Sequence, residues 1–532
     1  MPLQPIDPEK SGLYSSLVLD YLNRKDSLRQ FISNWPDKSG FKNQIDRRAN
    51  QLPDRTVLVQ ALRRQYASLE LGSQVEANLK RLEADNSYTL TTGQQIHIFL
   101  GPMYVYWKIV STIALCQKLK KDFPDQEFIP VFWMATEDHD FAEINHLELF
   151  NRNFEWESPS DRAMPVGALS TLGLPELTDE VNELFHRQES FQPFAALFKE
   201  AYSRYENFAA ATRYLVHSLF REFGLLIIDP MDEELKKQFD SILRDELVHG
   251  FAQQAVEKTS EELGKMYSLQ VHPREINLFY TGLNGRERVE NSSGMIQTIS
   301  GEKIGRLEEI HSWLPNKRRD FSTNVVLRPV YQETILPNLA YIGGPGELAY
   351  WLQLKEVFEA YQVPFPILEN RKSIFLLGKK SVQNWEKSGL PWDALFEEES
   401  TLRKMLLEAS NDGLVSLAED LEELHRLKDK IIGKSASIQP SSAKPLANIF
   451  NQTEKIIKKI DKEIFTLQEA GQLKNLEKLI KVRSVLKERG FNQERNHGVI
   501  QYISELKTDK IIGDINKNYE DIGPVALLLE AE

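Results

Sequence analysis

Cysteine is almost missing from this chain: Cys116 is the single thiol in 532 residues. That excludes an intrachain disulfide and any CxxC metal or redox site. Cys116 sits in the apolar run Ile109 to Leu119 and reads as an inert, packed thiol, because a reactive thiolate wants polar, electropositive surroundings. Long hydrophobic runs are missing too. No stretch reaches about 18 apolar residues, so no membrane-spanning helix is expected. Met1 to Lys10 is polar and proline-bearing, without the apolar run of a secretory signal, and cytoplasmic residence is the expectation. Positive charge is in deficit, with 65 Lys and Arg against 78 Asp and Glu and a net charge of −13. Such a chain lacks the field that releases counterions from nucleic acid, so neither nucleic acid nor membrane is expected as a partner. The basic patch Lys317-Arg318-Arg319 can still hold a small anion. What remains is ordinary globular composition, 41% hydrophobic and 27% charged, in a chain long enough for several structural units.

The stretch to about residue 85 reads as helices packing on a core. Leu58, Leu62, Tyr66 and Leu69 recur at helical spacing on one face. The pattern then changes. Ser87 to Thr92 is a β-prone run stopping at Gly93, followed by a loop ending Gly101-Pro102 and an apolar helix from Met103 to Lys120. Phe128 to Ala135 is almost wholly apolar, as suits a strand buried on both faces of a parallel sheet. A helix around Thr212 to Phe223 leads to the strand Leu225 to Ile228. Asn338 to Ile342 leads through Gly343-Gly344-Pro345-Gly346 to a helix at Glu347 to Ala360, and Phe365 to Leu368 offers a last strand. Alternating strands and helices predict an α/β, doubly wound core over 86–381. Two inserts interrupt it, at about 148–208 and 270–324, and read as smaller lobes over the site. From 382 to 497 a helical region is expected. Leu414, Leu417, Leu421, Leu424, Leu427 and Ile431 mix steps of three and four. After a break at Gly433 to Pro445, Ile456, Ile457, Ile460, Ile464 and Leu467 resume the stripe. This predicts a long coiled-coil hairpin, self-associating because so narrow a seam buries little alone. The tail, 498–532, is expected to return to the core.

Three clusters can carry chemistry, each at the carboxyl end of a predicted strand, where doubly wound sheets bind ligands. The first is Gly93, Gln94 and Gln95 with Gly101. A relieved backbone beside a helix N-terminus makes an anion site, though neither a Walker A motif nor GxGxxG is present. The second is Glu137-Asp138-His139-Asp140, continuing through Glu143 to Asn145 and His146. Crowded carboxylates repel one another and raise pKa values unless a cation or ligand offsets them. His139 is a candidate general base or phosphate contact oriented by a neighbouring carboxylate, and Asp138, Glu137 and Asp140 are candidate catalytic acids or bases. A helix start rich in acids would account for one or two of them, not for the whole set. A metal held by His139, Glu143 and His146 is the competing use of this cluster. The third is Gly343, Gly344 and Glu347, preceded by Arg328 and Tyr331. Glycines admit a ligand to the backbone, Glu347 suits an amine or a ribose hydroxyl, and Arg328 suits a carboxylate or phosphate.

At these clusters the chain resembles the bacillithiol biosynthesis cysteine-adding enzymes. Thr92 to Gln95 with Gly101 to Tyr104, Pro130 to His146, Arg328 to Trp351 and Gln493 to Arg495 carry the resemblance, while Ile96 to Leu100 departs from it. The resemblance implies a Rossmann-like core with two connecting inserts and a dimerising coiled coil. It implies a ligase forming an amide between the carboxyl of cysteine and the amine of glucosaminyl-malate, the last step of bacillithiol assembly. Forming an amide from a free carboxylate in water is uphill, so ATP is the expected co-substrate, with Mg2+ accompanying it. Asp138 or His139 would take a proton from the attacking amine. The rival readings are a metal-dependent hydrolase or amidase built on Glu137 to His146, and a non-catalytic coiled-coil scaffold.

Overall fold

The computed structural model describes residues 3–150, 152–158, 163–409, 415–488, 491–517 and 519–531. The chain divides into two compact units, Met1–Phe375 with Phe491–Ala531, and Leu376–Gly490.

The first unit is built on five parallel strands: β1 (Ser87–Gln94), β2 (Glu127–Met134), β3 (Leu226–Ile228), β4 (Asn338–Gly343) and β5 (Ile367–Asn370). All four neighbouring pairs are parallel, in the order β5-β4-β1-β2-β3. This is the doubly wound order, in which the chain leaves β1 first to one side and later to the other. The reversal opens a crevice beyond the carboxyl ends of β1 and β4. β2 is buried from Phe128 to Met134, as its unbroken apolar run requires. The helix α1 (Met103–Asp122) crosses from β1 to β2 and buries Leu115, Cys116 and Leu119 against Leu90, Phe128, Ala340 and Ile342. Cys116 is a packed thiol, and its burial pushes its pKa up, away from reactivity.

The stretch before β1 is helical, with Leu58, Leu62 and Tyr66 buried. The first insert holds a short hairpin, His146–Leu149 with Arg152–Glu155, and the helices Leu174–Leu184 and Gln192–Arg204. The second is an antiparallel sheet of Leu278–Gly282, Gly285–Ser292, Met295–Thr298, Lys303–Arg306 and Phe321–Thr323. The predicted helix at 347–360 is two helices, α2 (Pro345–Trp351) and Lys355–Ala360. In the basic patch, Arg318 pairs with Asp240 at 2.9 Å and Lys317 donates to the Ile304 carbonyl.

The tail does return. Met103 N donates to the His497 carbonyl and Val499 N to that of Gly101, zipping residues 497–499 to the loop before α1. That loop carries Phe99, Leu100 and Gly101 at φ of 51°, 68° and 71° in succession. A Cβ on Gly101 would lie 2.7 Å from that of His97, so only glycine fits there.

The second unit contains the helices Ala418–Ile438 and Ala443–Leu486. Leu417 N bonds Asp461, His425 faces Glu454, and Lys428 bonds Asn451, so the two run antiparallel. The helix continues through Gly433, where a break was expected, and turns at Pro440–Ser442. The predicted stripe splits between two faces. Leu417, Leu421, Leu424, Ile431, Ile457 and Ile464 are half-buried. Leu427, Ile456, Ile460 and Leu467 stay exposed, with Leu467 at 73%. Leu414 lies outside the described residues. Among the described residues no helix is long and apolar enough to cross a membrane.

Candidate functional site

The crevice at the strand reversal is a cavity of about 630 Å³, within the size range of small-molecule sites. Gly93, Gln94 and Gln95 from the end of β1 meet Glu137, Asp138, His139 and Glu143 from beyond β2. Gly344, Glu347 and Arg328 come from around β4. Three clusters far apart in sequence thus share one chamber.

One wall is acidic. Gln95 donates to Asp138 Oδ2 at 2.6 Å, and the His139 backbone N–H donates to Asp138 Oδ1 at 2.7 Å. Burial alone would raise the Asp138 carboxyl, but His139, the Arg286 guanidinium and Gln95 together hold it well below the usual carboxylate range. Glu137 is the opposite case. It is 5% exposed, its Oε2 has no hydrogen-bond partner among the described residues, and burial pushes its pKa up to about 7. Burial also raises Glu143, against the Gln95 amide. Arg286 Nη1 lies 2.9 Å from His139 Nδ1. A guanidinium only donates, so in this contact Nδ1 is the acceptor and Nε2 the nitrogen left to donate. His139 is therefore arranged as a donor toward a ligand, and its basic nitrogen is already engaged. In this geometry Nδ1 is not free to serve as a general base. Among these acids Glu137, poised near neutrality, is best matched to accept a proton.

The other wall is cationic. Lys108, from the second turn of α1, is 2% exposed and spends its three N–H bonds on Gly93 O (2.8 Å), Gln94 Oε1 (2.7 Å) and Glu347 Oε2 (2.5 Å). It thereby ties the bend after β1 to the bend after β4. Glu347 also accepts from Gly344 N at 2.9 Å. Burial would raise its carboxyl, yet Lys108 and the Gly344 amide keep it lowered. Arg328 lies against Gly93, where an added Cβ would sit 3.6 Å from its Nη1. It is ringed by Trp133, Tyr341 and Trp351 at 5.4 to 5.9 Å. Nη1 donates to Gln332, while Nη2 is shut from solvent and makes no hydrogen bond to the described residues. A buried, spare guanidinium N–H on a cavity wall is an anion receptor in waiting. Arg371 and Arg495 flank Tyr104 nearby, each 5.9 Å from its ring.

Arg371 reaches Glu494 through two bonds of 2.7 and 2.8 Å, with both side chains 3% exposed. This pair fastens the returning tail to the cavity wall. Arg371→Met should destabilise the first unit by about 3 kcal/mol, because Glu494 is left buried and uncompensated. Pairing it with Glu494→Gln should recover much of the loss in chemical denaturation. Additive losses would show that the pair is not coupled.

Several predicted residues lie elsewhere. Asp140 is exposed and caps the turn Phe141–Ile144 through Glu143 N. Asn145 is held by Glu155 and Trp156, and exposed His146 turns its Nδ1 to the Ala142 carbonyl. Gly101 serves the strained loop described above, and the start of α1 is closed by the tail, so that helix end is no open anion site. Gly343 belongs to β4, its carbonyl taken by Arg371 N. Tyr331 is buried with its hydroxyl on the Pro230 carbonyl. Among the described residues no group of three or more His, Cys, Asp or Glu is placed to hold a metal ion. Sequence reasoning missed Lys108, Arg286, Arg371, Arg495 and Tyr104.

Residues 1–372 match the family model described as bacillithiol biosynthesis BshC, N-terminal Rossmann-like domain. Proteins named "Putative cysteine ligase BshC" are similar along nearly their whole length. The one from Flavobacterium psychrophilum is 35% identical, covering 99% of this chain and 98% of its own. That from Flavobacterium johnsoniae is 36% identical over 95% of each. That from Cytophaga hutchinsonii is 33% identical over 98% and 97%.

Proposed function

This chain belongs to the BshC family of bacillithiol biosynthesis, and from that premise we propose that it forms an amide between the carboxyl of cysteine and the amine of glucosaminyl-malate, completing bacillithiol with ATP as co-substrate. The observation that carries this reading is the two-walled cavity at the strand reversal: a proton-accepting carboxyl near neutrality faces a wall of arginines and a lysine. The acidic wall suits the amine, which must shed a proton as it attacks. The cationic wall suits carboxylate and phosphate groups. Arg328, with its spare Nη2, and Arg371 and Arg495 beside Tyr104 would hold the anionic groups. ATP, with Mg2+, would supply the activation that a free carboxylate lacks. Within this reading Glu137 accepts the proton of the attacking amine, His139 Nε2–H and Arg286 steady negative charge, and Lys108 fixes both bends.

The test is direct. Purified protein is given L-cysteine, ATP and glucosaminyl-malate, and mass spectrometry follows the amide together with AMP or ADP. Absence of the amide with all three present would sink the reading.

Cytoplasmic residence and a homodimer joined through the hairpin belong to the same proposal. The supporting observation is the spacing of Ile449, Ile456, Ile460 and Leu467, all exposed, at steps of seven, four and seven along one helix. That is a heptad-spaced apolar face left exposed among the described residues. Ile456→Glu with Ile460→Glu should convert a dimer into a monomer in sedimentation while leaving the melting of the first unit unchanged. An unaltered sedimentation coefficient would place any dimer contact elsewhere.

A further inference from the structure

Behind the acidic wall lies a second, much smaller chamber that shares Glu137 with the main cavity. Its other lining includes Lys236, Met231, Phe239, Thr323 and Tyr331. The space is about 20 Å³, room for one water and little else. A water is retained in such a place only if polar groups hold it, and Glu137 and Lys236 offer an acceptor and a donor. Glu137 Oε2 is sealed from solvent and lacks a partner among the described residues. Lys236, on the helix Glu233–Gln238, is 7% exposed. Its Nζ donates to the Arg319 and Phe321 carbonyls at 2.6 and 2.7 Å, which leaves one of its three N–H bonds. Of the other nearby groups, the Tyr331 hydroxyl is taken by Pro230 O and Ser322 Oγ by Arg286 Nε, while Arg318 pairs with Asp240 through Nη2 and keeps its Nε unpartnered among the described residues.

We propose that Lys236 is a positioning residue for Glu137, acting through a single water held between its ammonium and Glu137 Oε2 in the rear chamber. The water accepts from Lys236 and donates to Glu137, so the orphaned carboxylate oxygen and the third Lys236 N–H are satisfied at once. The same lysine anchors the strand Phe321–Thr323, whose Thr323 lines both chambers. Charge state and wall position are thus set by one residue that touches no ligand. The charged groups around Glu137 are Arg286, Arg328, Asp138, Lys236 and, across the rear chamber, Arg318. Arg286, Arg328 and Asp138 line the main cavity, whereas Lys236 and Arg318 line the rear chamber, where Arg318 is already paired with Asp240. Burial holds the Lys236 ammonium down to about 8, against the pull of Glu137 and Asp229.

The inference rests on Glu137 being the proton acceptor, and its test does not need ligase activity. Infrared difference spectra across pH titrate the Glu137 carboxylic acid band, identified by its loss in Glu137→Gln. In Lys236→Gln, which keeps amide donors but loses the charge, the midpoint should rise by about one pH unit. In Lys236→Arg it should stay near that of the wild type. An unmoved midpoint in Lys236→Gln overturns the proposal, leaving Lys236 as a strand anchor only. Should Lys236→Gln fail to fold, a high-resolution crystal structure of the wild type decides. One water within hydrogen-bond reach of both Lys236 Nζ and Glu137 Oε2 supports the proposal, and a dry chamber ends it. Failure of the ligase reading would show instead as wild-type protein that makes no amide.

Discussion

Glu137→Gln should lower kcat for amide formation by about 10²- to 10⁴-fold, the usual worth of a positioned proton acceptor. The shape of the carboxamide is nearly that of the carboxylate, so binding of cysteine and glucosaminyl-malate should change little. In the unsubstituted protein the group must be ionised to accept a proton. Because burial raises Glu137 to about 7, kcat/KM should climb with pH through about 7 and then level. That limb should vanish in the variant. Stability should move the other way. An unfolded glutamate ionises near 4.3, while the folded one holds its proton up to about 7. Between those values the folded state binds more protons, so stability falls as pH rises through the window. The glutamine variant escapes this loss and should be more stable above pH 7 by about 1–3 kcal/mol. A variant that is inactive yet melts higher at pH 8, with the gap closing near pH 4, is the expected result. A variant that keeps its rate would remove Glu137 from the chemistry.

The second large effect is expected at Lys108. Its ammonium joins Gly93, Gln94 and Glu347, so Lys108→Met leaves two bends without a common anchor and Glu347 without its cation. Displacement of reacting groups by about 1 Å costs on the order of 10² in rate, and here both sides of the cavity are released together. A fall in kcat/KM of about 10³ is expected. Pairing Lys108→Met with Glu347→Gln should restore stability, because the uncompensated charge is gone. It should not restore rate, because the anchor is still missing. Recovery of both would mean that Lys108 serves only to neutralise Glu347.

How much of this was legible depends on whether a residue's pattern or its partners decide its place. β2 and β4 were readable because strands buried on both faces leave apolar runs that few other structures explain, and β1 because its threonines and Tyr88 favour an extended chain that stops at a glycine. β5 was displaced in the reading. Phe365-Pro366 looked strand-like, but proline cannot donate to a ladder, and pairing begins at Ile367. The antiparallel sheet of the second insert was missed because Gly285–Ser292 is charged on both faces, with Val289 its only buried hydrophobic residue. The site followed the same rule. Residues at strand ends announced themselves in clusters, and the cavity gathers most of them. Arg286 had no local signal, since its partners His139, Ser322 and Thr323 are remote in sequence. Lys108 had one that was passed over. It is the single charge between Met103 and Cys116, and a lone cation inside an apolar helix must have a buried partner or a task. Asp140, Asn145 and His146 were drawn in by adjacency alone, and side chains two or three positions apart need not face one chamber.

The tail that closes the cavity has a consequence for synthesis. Tyr106 meets Thr508 across 402 residues, and Arg371 waits for Glu494 across 123. Contacts so distant form late, since the intervening loop must first be drawn in. A nascent chain paused before residue 491 already owns its five parallel strands, its glycine bends and Glu137, but one flank of the chamber is still unwritten. The ribosome therefore delivers the scaffold long before it delivers a vessel that can hold anything.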